Sequence, residues 1–136
     1  MRIMIVDNDE AWTRSLTILL NGRGHEVHPF TSPVSACEFI RQIADSGFLK
    51  RANLPEAVVL DYVMPEMSGF QVLGRIGDAL GPGCRIVIVT GHGEQLKNSR
   101  LTETGVAACM AKPVDLDELE RVLGGTQHEE GAENEI

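Results

Sequence analysis

Short apolar runs and helical stripes alternate along this chain. Ile3–Val6, Ala57–Leu60 and Ile86–Val89 are continuous apolar runs rich in β-branched residues, the pattern of strands buried on both faces. Glu26–Phe30 is a weaker strand, and Pro29 within it points to a sheet edge. Val106–Met110 reads as a fifth buried strand. Between them, apolar residues recur at helical spacing: Trp12, Leu16, Leu19 and Leu20; Val34, Cys37, Ile40 and Ala44; Phe70, Leu73, Ile76 and Leu80; Leu116, Leu119, Val122 and Leu123. Start signals precede each stripe: Asn8 or Asp9, Ser32 before Pro33, Ser68 with Gln71 as a capping box, and Asp115. Asn21-Gly22 with Gly24, and Gly81-Pro82-Gly83, are stop signals. A mostly polar helix around Glu94–Thr104 has only Leu96 and Leu101 as anchors.

Strands alternating with helices in this way predict an α/β fold, a doubly wound five-stranded parallel sheet with helices on both faces. Right-handed crossovers favour the order 2-1-3-4-5, with its switch point between the first and third strands. Ligands bind outside the carboxyl ends of strands at such a point. Asp7, Asp9, Asp61, Thr90 and Lys112 all fall at carboxyl ends. One polar residue ending a strand is ordinary; their convergence on one crevice is not.

Composition narrows the function. The 136 residues make one domain, 43% hydrophobic and 24% charged, as expected of a globular chain. A formal charge of −8 and no basic run argue against nucleic-acid binding. Only six residues precede Asp7, too few for a leader, and no stretch approaches a membrane span. Cys37, Cys84 and Cys109 are odd in number and widely spaced, which excludes a disulfide framework and a metal motif. The expected location is the cytoplasm. The domain is expected over 1–124, and the acidic 125–136 as a frayed tail.

Several carboxylates at one cleft repel one another unless a cation sits among them. Oxygen ligands with open water positions suit Mg²⁺ rather than zinc. A hydroxyl and an ammonium at the same mouth can hold phosphoryl oxygens. These are the parts for aspartyl-phosphate chemistry.

With these residues in place, the sequence resembles the receiver domains of two-component response regulators. Four segments match in order: the run ending at Asp7, Leu-Asp-x-x-Met-Pro-x-Met-Ser-Gly around Asp61, Val-Thr-Gly at 89–91, and Ala-Lys-Pro-Val-Asp at 111–115. The resemblance covers residue 1 to about 124 and implies a flavodoxin-like (βα)5 fold. It implies Asp61 as phosphoryl acceptor and a Mg²⁺ site formed by Asp7, Asn8, Asp61 and the Val63 backbone carbonyl. It further implies Thr90 as switch hydroxyl, Lys112 as phosphate partner and a cis Lys112–Pro113 bond. The implied donor is a histidine kinase or phosphotransfer protein; the downstream protein partner is not named by the sequence. Neither a membrane nor a nucleic acid is expected as partner, and no enzymatic activity beyond the domain's own phosphorylation and dephosphorylation.

The chain departs from the family pattern at three places. Asn8 stands where a second aspartate is usual, so the cation site loses one charge; alternatively Asn8 is mainly a helix cap. Cys109 replaces the aromatic residue that usually precedes the lysine by three positions, which points to a differently routed switch. Asp45–Pro55 lengthens the second helix or its loop, with Phe48 and Leu49 as ordinary packing or a partner contact. His92 is a candidate modulator of acyl-phosphate hydrolysis or simply a solvated loop residue. Two other function classes fit part of the pattern. A haloacid dehalogenase-type phosphatase would use Asp7 as nucleophile and Asp9 as acid/base, but leaves the Asp61 segment unexplained. A phosphorylation-independent binding module would account for Asn8 and Cys109.

Overall fold

Runs without a polar residue have no face to offer water, and here they form the inner strands. In the computed structural model, which describes residues 1–47, 52–91 and 105–125, β1 (Arg2–Val6), β3 (Ala57–Asp61) and β4 (Arg85–Thr90) lie at the centre of one sheet. β2 (Glu26–Phe30) and β5 (Ala108–Ala111) are its edges. All pairings are parallel and the order is β2-β1-β3-β4-β5, as the crossover argument expects. Pro29 sits on the β2 edge strand, where a missing N–H is tolerated.

Alternation along the strands divides the core in two. Met4, Val6, Val58, Leu60, Ile86 and Ile88 face α2 (Pro33–Asp45) and α3 (Gly69–Leu80). Ile3, Ile5, Ala57, Val59, Val87 and Val89 face α1 (Glu10–Gly22) and α4 (Leu116–Leu123). The four helices among the described residues are capped by Asp9, Ser32, Ser68 and Asp115, each accepting a hydrogen bond from a backbone N–H in the first turn. Ser68 and Gln71 form the reciprocal capping box. Gly81 closes α3 at φ +84°, a conformation open to glycine.

Leu16, Leu20, Cys37, Ile40, Ile76 and Leu80 are inward as expected, but other positions of the stripes differ. On α1 the buried residues are Thr13, Leu16 and Leu20; Trp12 is half-buried and Leu19 is 42% exposed. On α2 the inward stripe is Pro33, Ala36, Cys37 and Ile40, leaving Val34 exposed. On α3 it is Gly69, Val72, Ile76 and Leu80, with Phe70 and Leu73 half-covered. Which residues of a stripe are covered is set by the elements packed against the helix. β5 is shorter than expected and half-buried rather than buried, because it is an edge. Of the thiols only Cys37 is buried outright.

Three expectations fall outside the described residues: the helix over 94–104 with His92 before it, the Phe48–Leu49 contact, and the acidic tail from 126 on. Leu54, just after the second of these, packs against the α2–α3 side of the core, and Pro55 is buried. Among the described residues no helix is long and apolar enough to cross a membrane.

Candidate functional site

The site stands at the carboxyl ends of β1, β3, β4 and β5. Sheet register brings its parts level: Val6 pairs with Leu60, Asp61 with Val89, and Thr90 with Ala111. The residue following each paired end is therefore delivered to one mouth. Asp7, Asp61 and Thr90 are 1%, 6% and 0% exposed. Lys112 enters from the loop after β5, with its backbone N–H donating to the Thr90 carbonyl at 2.9 Å. Its peptide bond to Pro113 is cis.

Asp7 is held from every side. The Asp9 backbone N–H donates to Oδ1 at 2.9 Å, and Lys112 Nζ donates to Oδ2 at 2.7 Å. The Thr13 hydroxyl donates to the Asp7 backbone carbonyl at 3.1 Å. Asp61 is less satisfied. Its Oδ1 accepts one long bond, 3.4 Å, from the Val63 N–H. Burial, and then the charge of Asp7, push its pKa up to about 6, against the opposing pull of Lys112 and the Val63 N–H. Two carboxylates and one ammonium leave surplus negative charge in a closed space, and the donors are hard oxygens. That set fits a hard divalent cation completed by backbone or amide oxygens and water. Among the described residues no group of three or more His, Cys, Asp or Glu side chains is placed to hold a metal. Any ion here thus draws on oxygens beyond the two carboxylates.

Asp9, not Asn8, caps α1 through its side chain. Asn8 is exposed between the cap and Asp7, and Val63 is 39% exposed after Asp61. Cys109 pairs in register with Ile88, packs against the α2–α3 side, and burial raises its thiol pKa. Asp115 and Asp117 are occupied elsewhere: the first caps α4 and the second pairs with Arg23 at 2.5 Å.

Three contributors escaped the sequence reading. Thr13 was legible as a polar residue in an inward helical position. Gly69 carries no such signal: a Cβ there would lie 2.6 Å from the Asp61 carbonyl oxygen, so only glycine lets α3 start against the acidic loop. Trp12 was read as a core residue, yet Lys112 Nζ sits 4.2 Å from its ring centroid.

Comparison with known proteins agrees with the fold. The chain is 25% identical over 118 residues to sporulation initiation phosphotransferase F of Bacillus subtilis (strain 168), covering 87% of this chain and 86% of that protein. Other curated relatives are longer, and the chain spans 19% and 25% of the length of two of them. A response regulator from Burkholderia pseudomallei, solved with a phosphorylated aspartic acid, calcium ion and citrate, superposes with a TM-score of 0.73 at 20% identity, over 90% of this chain and 65% of that one. TrrA from Thermotoga maritima, solved with Mg²⁺ and BeF, gives 0.69 at 23% identity, over 91% and 96%. The family model of the response regulator receiver domain matches residues 3–123, and with the fold and the strand-end acids in place, the chain belongs to that family.

Proposed function

We propose that this chain is a phospho-accepting receiver of a two-component or phosphorelay system, with Asp61 as the acceptor. The observation that carries the reading is the buried Asp7–Asp61 pair with the Lys112 ammonium beside it, at the switch point of the sheet. Among the described residues Asp61 accepts only a long bond from a backbone N–H, whereas Asp7 accepts from both Lys112 and Asp9, so Asp61 is the more available nucleophile. In the transfer, an Asp61 oxygen forms the new P–O bond as phosphorus parts from the donor histidine nitrogen. The imidazole leaves with the electron pair. Lys112 and the Thr90 hydroxyl supply donors for the phosphoryl oxygens. Mg²⁺, held by Asp7, Asp61, the Val63 carbonyl and the Asn8 amide oxygen, would offset the charge gathered there. The solved relatives with phosphorylated aspartate and calcium, and with Mg²⁺ and BeF, support that choice by analogy.

The donor is a histidine kinase or phosphotransfer protein, and the output is a protein partner recognised through a surface that Thr90 rearranges. The net charge of −8 speaks against nucleic acid as that partner. The domain acts in the cytoplasm and has no substrate but its own aspartate. The phosphatase reading is disfavoured because Asp7, its nucleophile, already accepts from Lys112 and Asp9, and Asp115 and Asp117 are committed to a cap and an ion pair. With acetyl phosphate and Mg²⁺, intact-mass measurement should show one phosphoryl group on the wild type and none on Asp61→Asn. Labelling that survives in Asp61→Asn but disappears in Asp7→Asn would transfer the role to Asp7.

Asn8 weakens the cation site. Asn8→Asp restores a carboxylate where charge count is a main control of affinity, and should tighten Mg²⁺ binding about tenfold. Titration of Trp12 fluorescence reads this, since it is the chain's one tryptophan. An unchanged affinity would mean that residue 8 does not face the ion.

A further inference from the structure

Among the described residues two groups grip the Lys112 ammonium, and one of them is not a carboxylate. Its Nζ donates to Asp7 Oδ2 at 2.7 Å, and the Trp12 ring centroid lies 4.2 Å away. The ammonium is mostly out of water, its side chain being 17% exposed. An ammonium over an indole face gains most when it is desolvated in this way.

The indole N–H explains little of why tryptophan stands here. Nε1 is buried and has no hydrogen-bond partner among the described residues. An unmade hydrogen bond of this kind costs stability, and leucine or phenylalanine would fill an apolar seat without it. What tryptophan adds over both is the larger, more electron-rich π face, and the Lys112 ammonium lies within range of that ring.

Resting on the receiver reading, we infer that Trp12 is a positioning residue for phosphoryl transfer: its ring holds the Lys112 ammonium beside Asp7, where it meets the incoming phosphoryl group. Lysine is a point charge on a flexible four-carbon stem with three donors. Seated between a carboxylate and a ring, the head spends one donor on Asp7 and is kept from sampling solvent. Another donor is thereby set in place for a phosphoryl oxygen before the donor molecule arrives. Ordering the lysine beforehand removes that cost from the transfer step. Trp12 takes no proton and makes no bond: Asp61 forms the P–O bond, and with acetyl phosphate the acetate leaves with the electron pair.

The test uses the full chain with Mg²⁺ and acetyl phosphate as donor. Trp12→Leu keeps apolar bulk and removes the π face; Trp12→Phe keeps a smaller one. Labelling at subsaturating acetyl phosphate and saturating Mg²⁺ should fall three- to tenfold in Trp12→Leu and less in Trp12→Phe. In the wild type the Lys112 ε-methylene protons should show an upfield ring-current shift that is absent from Trp12→Leu. Wild-type labelling rates in Trp12→Leu, or lysine protons at ordinary shifts in the wild type, would overturn the proposal. If Trp12→Leu fails to fold, Trp12→Phe and the wild-type lysine shift decide it. If the wild type itself takes no phosphoryl group, the receiver reading falls, and the ring-current shift still decides whether the seat exists.

Discussion

Lys112→Met should lower the unfolding free energy by about 3 kcal/mol at pH 7.5 in chelator, because it strands a buried charge. Asp7 is 1% exposed, and the ammonium 2.7 Å from Oδ2 is the cation paired with it among the described residues. An exposed pair would contribute little, since water would solvate whichever partner remained. Here the carboxylate is almost wholly out of water, and among the described residues the Asp9 N–H is the backbone donor that remains on it. The lost contact with the Trp12 ring adds to the cost. Urea titration measures the loss. Millimolar Mg²⁺ should restore much of it, since an ion among the oxygens takes over the role of the ammonium. A variant within 1 kcal/mol of wild type in chelator would mean that Asp7 is hydrated after all.

Asp61→Asn should move stability the other way. In the folded, metal-free protein the Asp61 pKa stands at about 6, against an ordinary value of 3.8. Between these values the folded state binds more protons than the unfolded chain, so stability falls as pH rises from about 4 to 6 and levels off above. That difference corresponds to on the order of 2–3 kcal/mol. An amide of the same shape carries no charge to desolvate and none to repel Asp7. The variant should therefore exceed wild type by about 2 kcal/mol at pH 7.5 in chelator, and the difference should close towards pH 4. Added Mg²⁺ should narrow the gap by stabilising the wild type, in which both carboxylates are present. A difference between the two proteins that stays flat from pH 4 to 8 would show that Asp61 is not strained by its surroundings. A buried acceptor that costs stability when empty is also one that gains by taking up a charged partner, which links the fold's energetics to the proposed chemistry.

The described elements were legible because their signals lie between neighbours in sequence, and the strand order because short right-handed crossovers restrict it. Asp9, Ser32, Ser68 and Asp115 satisfy N–H groups within three residues, so their capping could be read directly. The runs Ile3–Val6, Ala57–Leu60 and Ile86–Val89 could only be buried, and short right-handed crossovers leave few orders for them. Stripe phase was less legible. Val34 and Leu19 are apolar and at helical spacing, yet exposed, because rotation about a helix axis is fixed by what packs against it.

Sequence by itself determined the parallel sheet, the helix caps, and the delivery of Asp7, Asp61, Thr90 and Lys112 to one end of it. Each follows from period, turn chemistry or the position of a polar residue after an apolar run. Tertiary structure decided how those groups are shared. Lys112 bonds Asp7, 105 positions away, while Asp61 has a long bond from the Val63 N–H and lies against the Asp7 charge. Trp12 lays its ring beside the same ammonium, and Gly69 lets a helix start against the Asp61 carbonyl. No local rule carries such contacts, because they depend on where separate strands and helices meet once both faces of the sheet are packed.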